Sequence, residues 1–272
     1  MFRGKEGTMR AWLFLTAALS CSIATSALAD DAGGQRVDWT PTWSVVGSFE
    51  GTYTNNAFLV PAGRQSDFYW TPDITIRADG KLTSDIYYRV YARGEFDAFS
   101  DETDANNSDA RIGARLSGEV VDWTVALAYE NRYSFGGIFE DRFFTGHDVI
   151  GSVGRTFDWG ALTLSPGGLL TYRFADVEEA QRFRMELWLG IEVAIDDKWA
   201  VVSEPFFEQF WFTDGLNSGR QDQVYSVSLG LQYKITDNAY LTTEVVYEKG
   251  ESNRPGLDYD FIEVGPRLDF AY

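Results

Sequence analysis

Apolar and polar residues alternate along most of the chain. In residues 262–272, one parity carries Val264 and Leu268, and the other carries Glu263 and Arg267. Successive side chains of a strand point to opposite faces, so this pattern predicts a strand with one apolar and one polar face. The same alternation recurs in residues 82–98, 109–119, 182–194 and 224–235, and it is weaker in residues 146–157 and 199–212.

Short turn signals rich in Gly, Asp and Asn separate these segments, and longer polar stretches lie between the turns. The turns are at residues 78–81, 118–122, 158–160, 196–198 and 236–238. The polar stretches are at residues 54–66, 100–108, 132–146, 175–181, 213–222 and 249–258. Five short turns and six longer loops predict twelve strands. The predicted fold is all-β, a single antiparallel transmembrane β-barrel over residues 42–272 with both termini in the periplasm.

The N-terminal residues predict a secretory signal peptide. Arg3, Lys5 and Arg10 give a positively charged start, an apolar stretch follows, and Ala27-Leu28-Ala29 is a small-x-small cleavage site. We therefore expect residues 1–29 to be cleaved.

Residues 30–41 would then form a short periplasmic segment ahead of the barrel. Met9 is an alternative start, because Met9-Arg10 already begins a sufficient signal. A lipoprotein anchored through Cys21 is a further alternative, although Ala18-Leu19-Ser20 before it is a poor lipobox.

Composition removes several classes of function. The formal net charge of −18 argues against nucleic-acid binding. The only cysteine, Cys21, lies in the predicted signal peptide, so the exported chain would form no disulfide and no thiolate metal site. We predict no cofactor and no structural metal. No second apolar run approaches the ~20 residues of a membrane helix, so a membrane-embedded chain would have to be a closed barrel.

The C-terminus resembles the assembly signal of Gram-negative outer-membrane β-barrels. It ends on the aromatic Tyr272, with Phe270 and Leu268 two and four positions earlier. Together with the signal peptide and the turn pattern, this resemblance implies the cell outer membrane as the location. It also implies outer-membrane lipid, lipopolysaccharide and the barrel-assembly machinery as partners.

The inward face predicts a charged lumen. The pore-lining residues expected on one wall are Arg77, Arg89, Arg93, Arg111 and Arg115, and those on the far wall are Glu204, Glu208, Glu244, Glu248, Glu263 and Arg267. The arginines of strands three and four nearly mirror each other about the loop between them, so they should form one patch. Opposed charges across a narrow low-dielectric lumen produce a transverse field, and charged linings select solutes.

The sequence therefore predicts a narrow, porin-like channel for small hydrophilic or charged solutes rather than an enzyme. Twelve strands and lumen arginines are similar to those of monomeric channels for acidic oligosaccharides, a likeness of fold alone. One alternative is a closed structural or adhesion barrel, in which the inward charges pair with one another.

A second alternative is an outer-membrane hydrolase. Lipid-cleaving barrels pair a His with a nearby Ser, but no His-x-Ser motif follows His147, the single histidine. Asp141 and Asp148 leave an Asp/His hydrolase open, with His147 expected at the base of a loop. The acidic loop 101–109 is either a solvated loop or a weak site for divalent cations.

Overall fold

The computed structural model describes residues 40–272, so the predicted signal peptide and most of the predicted periplasmic segment lie outside the described residues. The described chain forms twelve strands, of which the sixth has two segments. They are β1 (Thr42–Thr54), β2 (Asp67–Lys81), β3 (Ile86–Phe99), β4 (Asn107–Val120), β5 (Trp123–Gly136), β6 (Asp141–Gly154 and Phe157–Trp159), β7 (Leu162–Ala175), β8 (Arg182–Ala194), β9 (Trp199–Phe212), β10 (Gln221–Thr236), β11 (Ala239–Ser252) and β12 (Tyr259–Ala271).

The strands close into one antiparallel barrel. Each strand pairs with its neighbours in the sequence, and β1 pairs with β12, so the ring has no free edge. The prediction of a single twelve-stranded barrel is confirmed. Among the described residues, no helix is long and apolar enough to cross a membrane.

The two ends of the barrel differ. The end that carries both chain termini has five connections of two to four residues, and we call it the turn end. The opposite end, the loop end, carries six connections, and the longest of them, residues 55–66, joins β1 to β2. This asymmetry matches the prediction, with two corrections. The predicted turn 78–81 lies within β2, because pairing with β3 continues as far as Lys81 and Tyr87, and the turn itself is residues 82–85. The predicted loop 132–146 is only residues 137–140, because β5 and β6 continue pairing as far as Gly136 and Asp141.

The outward face is apolar and the inward face is polar. Ile112 and Leu229 are about 60% exposed on the outside, whereas their sequence neighbours Arg111 and Ser228 face the lumen. Large aromatic side chains lie near both ends, such as Trp43 and Trp159 at the turn end. Trp and Tyr favour the boundary between lipid and water, so the apolar band between them is suited to a bilayer.

Four prolines interrupt the backbone ladder. Four of the strand pairings skip two residue pairs, and each of these gaps contains one proline, namely Pro72 (β2–β3), Pro166 (β6–β7), Pro205 (β8–β9) and Pro266 (β12–β1). Proline has no N–H to donate, so its ladder bond is lost. The gap at Pro166 divides β6 into its two segments.

The β1–β2 hairpin is bounded by two of these gaps. Its own ladder runs unbroken from Thr42–Asp79 to Thr54–Asp67, but Pro266 interrupts its pairing with β12 and Pro72 interrupts its pairing with β3. At the β1–β12 seam, Gly265 lies directly against the carbonyl of Gly51. The seam therefore depends on a glycine beside the proline, where the two backbones come into contact.

We predict that Gly265→Ala lowers the free energy of unfolding by about 1–3 kcal/mol, because the added Cβ would overlap the Gly51 carbonyl. Gly94→Ala in β3 is the matched control, since a Cβ there meets no atom within 4 Å. Unfolding in urea, followed by the loss of heat-modifiable gel mobility, measures both variants. Equal stability of the two would contradict this description of the seam.

Candidate functional site in the lumen

The predicted pore-lining residues all lie on inward-facing positions of their strands. The β3–β4 register places Arg89 directly opposite Arg115, and Arg93 directly opposite Arg111. Arg77 lies on the adjacent strand β2. The predicted acidic residues lie on β9, β11 and β12, with Glu204 and Glu208 on β9, six strands from β3 in the ring. The arginine patch and the acidic wall are thus on opposite sides of the barrel.

Most arginines of the patch are ion-paired. Arg93 binds Asp73 and also Glu95, the latter at 2.5 Å. Arg111 shares Glu95. These pairs link β2, β3 and β4 along the inside of the wall, so much of the patch's positive charge is neutralised.

Nearer the turn end, Arg89 pairs with Asp79 at 2.6 Å and Arg77 pairs with the same carboxylate at 3.1 Å. Arg115 makes no ion pair or hydrogen bond with any residue in the described part of the chain. It is half-buried and faces the lumen.

The acidic wall has fewer cations. Arg267 pairs with Glu244 at 3.0 Å. By contrast, Glu248 accepts a hydrogen bond from Tyr259 at 2.8 Å, and Glu263 accepts one from Tyr69 at 2.9 Å.

On β9, Glu208 is fully buried, with Arg184 Nη1 3.5 Å from its carboxylate. The side chain of Glu204, four residues away on the same strand, makes no hydrogen bond or ion pair with the residues that the structure describes. The two unpartnered charges of the predicted set, Arg115 and Glu204, are therefore of opposite sign.

A set of buried charges near the loop end was not predicted as part of the site. We call it the buried belt, and its members are Asp109, Arg132, Asp148, Arg173, Arg182 and Asp222, each at most 4% exposed. Arg132 makes a two-pronged bond to Asp109, and Arg173 makes one to Asp148 at 2.7 and 2.8 Å. Arg173 and Arg182 could have been found from the alternation of inward-facing positions along β7 and β8. Arg132 could not, because it lies within the predicted loop 132–146.

Aromatic rings complete the belt. Arg182 lies over Phe210 with 4.5 Å between the guanidinium carbon and the ring centroid, and Arg220 lies over Phe212 at 4.6 Å. Arg173 lies over Phe144 at 5.3 Å. Stacking on rings holds each guanidinium flat and leaves its edge to bond carboxylates. At this level the barrel is filled by its own side chains.

The most exposed lumen charges lie nearest the turn end and the most buried lie near the loop end, although the ion-paired Arg77 and Glu244 are already only 15% and 7% exposed. The side chain of Arg89 is 37% exposed, that of Arg93 is 18% and that of Arg132 is 4%. On the other wall, Lys234 is 38% exposed, Arg267 is 16% and Asp222 is 2%. The lumen is therefore open to solvent at the turn end and narrows to the buried belt.

The loop 55–66 covers part of the mouth at the loop end. Ala57 packs with the inward-facing Phe99, and Leu59 packs against the inward-facing Tyr259 and Phe261. Asn56 is completely buried and bonds the carbonyls of Val60 and Asp260. The loop is thus anchored across the rim of β12, β1 and β2 rather than extending away from the barrel.

Two further sequence expectations are changed or limited by the structure. His147 is not at the base of a loop but within β6, on the outward face, where its Nδ1 lies 2.7 Å from Tyr129 Oη. Asp148 faces inward and is held by Arg173. The two side chains point to opposite sides of the wall, so they do not form the Asp/His pair that a hydrolase would need.

In the acidic loop, the amides of Asp101 and Glu102 donate to Asp67, which holds the loop to β2. Within residues 40–272 there is no group of three or more His, Cys, Asp or Glu side chains placed to hold a metal ion. The C-terminal residues Leu268, Phe270 and Tyr272 lie on the outward face of β12, and the backbone of Tyr272 bonds Val45 of β1.

We predict that Asp148→Asn destabilises the barrel by about 3–5 kcal/mol, because it leaves Arg173 as a buried and unpaired cation. Asp79→Asn is the control. Of its two partners, Arg89 is 37% exposed and Arg77 keeps a hydrogen bond to Ser44, so the loss should be about 1 kcal/mol or less. Urea unfolding of both variants in detergent gives the comparison, and similar losses would show that the belt is not desolvated.

Comparison with known proteins identifies the fold. No model of a known protein family matches the chain, and no curated protein matches it significantly. Among solved structures, an outer-membrane channel from Pseudomonas putida F1 is similar at 9% identity with a TM-score of 0.55, over 90% of this chain and 100% of that chain.

Other similar structures include an anion-selective porin from Comamonas acidovorans, at 9% identity with a TM-score of 0.47, over 86% of this chain and 100% of that one. The translocator domain of the autotransporter NalP from Neisseria meningitidis is similar at 11% identity with a TM-score of 0.45, over 84% and 88% respectively. The closed ring of twelve strands and the match with a TM-score of 0.55 show that the chain has the fold of outer-membrane β-barrel proteins.

Proposed function

We propose that this protein is a narrow channel of the Gram-negative outer membrane that conducts small hydrophilic solutes. The observation that carries the proposal is the charged lumen, which is open to solvent at the turn end and narrows progressively to the buried belt. A purely structural barrel has no need of half-exposed charges of opposite sign on opposite walls. Such charges suit a solute path, because they replace part of the solute's hydration.

The buried belt is the constriction of this path. It consists of side chains held by ion pairs and ring contacts, such as Arg173 with Asp148 and Arg182 with Phe210. Side chains exchange rotamers far faster than backbone segments rearrange. A constriction of this kind therefore passes small solutes at a low rate and excludes large ones.

The short connections at the loop end favour a channel over an adhesin. The longest of them, residues 55–66, is partly folded onto the mouth, and the others are at most eight residues long. Little surface is left for binding a large partner. The resemblance of the fold to a Pseudomonas putida channel is consistent with the proposal.

In planar bilayers we expect small conductance steps from the purified protein. The double variant Arg89→Ala with Arg93→Ala should shift the reversal potential toward cation selectivity. It removes two positive charges, frees Asp73, and leaves Asp79 and Glu95 with one arginine each instead of two. Arg64→Ala is the control, since Arg64 pairs with Asp260 at the loop end outside the lumen. An absence of conductance steps would favour the closed structural barrel instead.

Removal of both partners of a belt pair should widen the constriction. We expect Arg173→Ala with Asp148→Ala to raise single-channel conductance above that of the natural protein, because both bulky groups leave together and no unpaired charge remains. The same double change at Arg77 and Asp79, near the wide end, should have a smaller effect. If the Arg77 and Asp79 double variant raised the single-channel conductance as much as the belt variant, the constriction would not lie at the belt.

A further inference from the structure

Two lumen charges, Arg115 on β4 and Glu204 on β9, stand out because neither side chain forms an ion pair or a hydrogen bond with a described residue. Their charged surroundings are more distant, with Arg267 near Glu204 and Arg89 near Arg115. Every other member of the predicted pore-lining set has a close partner, whether an ion pair, a hydrogen bond or, for Glu208, a guanidinium at 3.5 Å. Both side chains are half-buried and lie in the part of the lumen that solvent reaches. Unpartnered charges at such a depth are available to a solute.

The two charges lie at the same level on nearly opposite walls. Arg115 is five residues from Val120, the turn-end residue of β4, and Glu204 is five residues from Trp199, the turn-end residue of β9. The strands β4 and β9 are five apart in the ring of twelve. A solute at this level thus meets a guanidinium on one side and a carboxylate on the other.

The surroundings of Glu204 suit an ammonium group. Phe206 is the next inward residue on β9, and its cross-strand partner on β8 is Trp188. The indole of Trp188 lies against Gly167, where the absence of a Cβ leaves room for the ring. A carboxylate beside aromatic faces binds a cation by charge and by cation–π attraction.

The surroundings of Arg115 suit a carboxylate. Its cross-strand neighbour is Arg89, whose charge adds to its own, although Arg89 also pairs with Asp79. The planar guanidinium presents parallel N–H donors that match the two oxygens of a carboxylate. The transverse field between the two walls would orient a dipolar solute across the lumen.

We propose that this level of the lumen is a selectivity site for small zwitterions of the amino-acid class, with the solute carboxylate at Arg115 and its ammonium group at Glu204, Phe206 and Trp188. The site rests on the proposed channel function and specifies its substrate class. A simple anion would gain from Arg115 and be repelled by Glu204, and a simple cation would experience the reverse. Only a solute that carries both charges gains from both walls.

The test compares alanine with lactamide, two isomers of equal mass of which only alanine is a zwitterion. In swelling assays of proteoliposomes containing the full-length mature protein, we expect alanine to enter several-fold faster than lactamide. Arg115→Gln and Glu204→Gln should each bring the ratio of the two rates close to one. The charge-exchanged double variant, Arg115→Glu with Glu204→Arg, should restore part of the preference, which a merely structural role would not do.

Arg64→Gln serves as the control, because Arg64 pairs with Asp260 outside the lumen, and the ratio should remain that of the natural protein. If alanine and lactamide enter at equal rates while the same protein still gives conductance steps in planar bilayers, the zwitterion site is overturned and the channel function stands. Entry of neither isomer, together with an absence of conductance, would overturn the channel and the site with it.

Discussion

Closure of the backbone ladder is the constraint on which this structure depends. In a bilayer, each N–H and C=O within the hydrocarbon must find a partner in the protein, and only a closed ring of strands provides one at both edges. The β1–β12 pairing supplies that closure, with Tyr272 extending it to Val45. The four prolines are tolerated because each removes a single donor from a ladder that continues above and below it. Two of them bound the β1–β2 hairpin and the other two bound the β7–β8 hairpin, so each of these hairpins has an unbroken ladder of its own and an interrupted pairing on both sides.

Closure also determines the interior. Every second side chain must point into a narrow space, and here those side chains are largely charged. At the loop end they have little contact with water, so they neutralise one another, as Arg173 and Asp148 do. Toward the turn end the lumen is wider, and some charges remain available to solutes. One set of inward positions thus serves two purposes, a compact constriction and a charged approach to it.

Much of this architecture follows from the sequence. Side chains alternate between the two faces of a strand, and the apolar face must be the one that contacts lipid. The strand count, the inward positions and the juxtaposition of Arg89 with Arg115 were all predictable on that basis. The extension of β5 and β6 at the loop end was not predictable. Where strands extend beyond the membrane, their outward residues need not be apolar, so the sequence resembles that of a polar loop. Arg132 was missed for that reason. The ion-pair partner of each lumen charge could not be predicted either, because it depends on the register between strands and on the shear around the whole ring.

We conclude that the charged lumen is open to solvent at the turn end and narrows to the buried belt. Single cysteines introduced one at a time into residues 30–272, which contain none, test this arrangement most directly. At Thr75 and Ser152, which face the wider lumen, a small charged thiol reagent should react rapidly. At Thr171 and Thr52, which face inward near the loop end and are each 1% exposed, reaction should be slower by orders of magnitude. Rapid reaction at all four positions would show an open pore throughout, and slow reaction at all four would show a barrel filled along its whole length; either result would contradict this account.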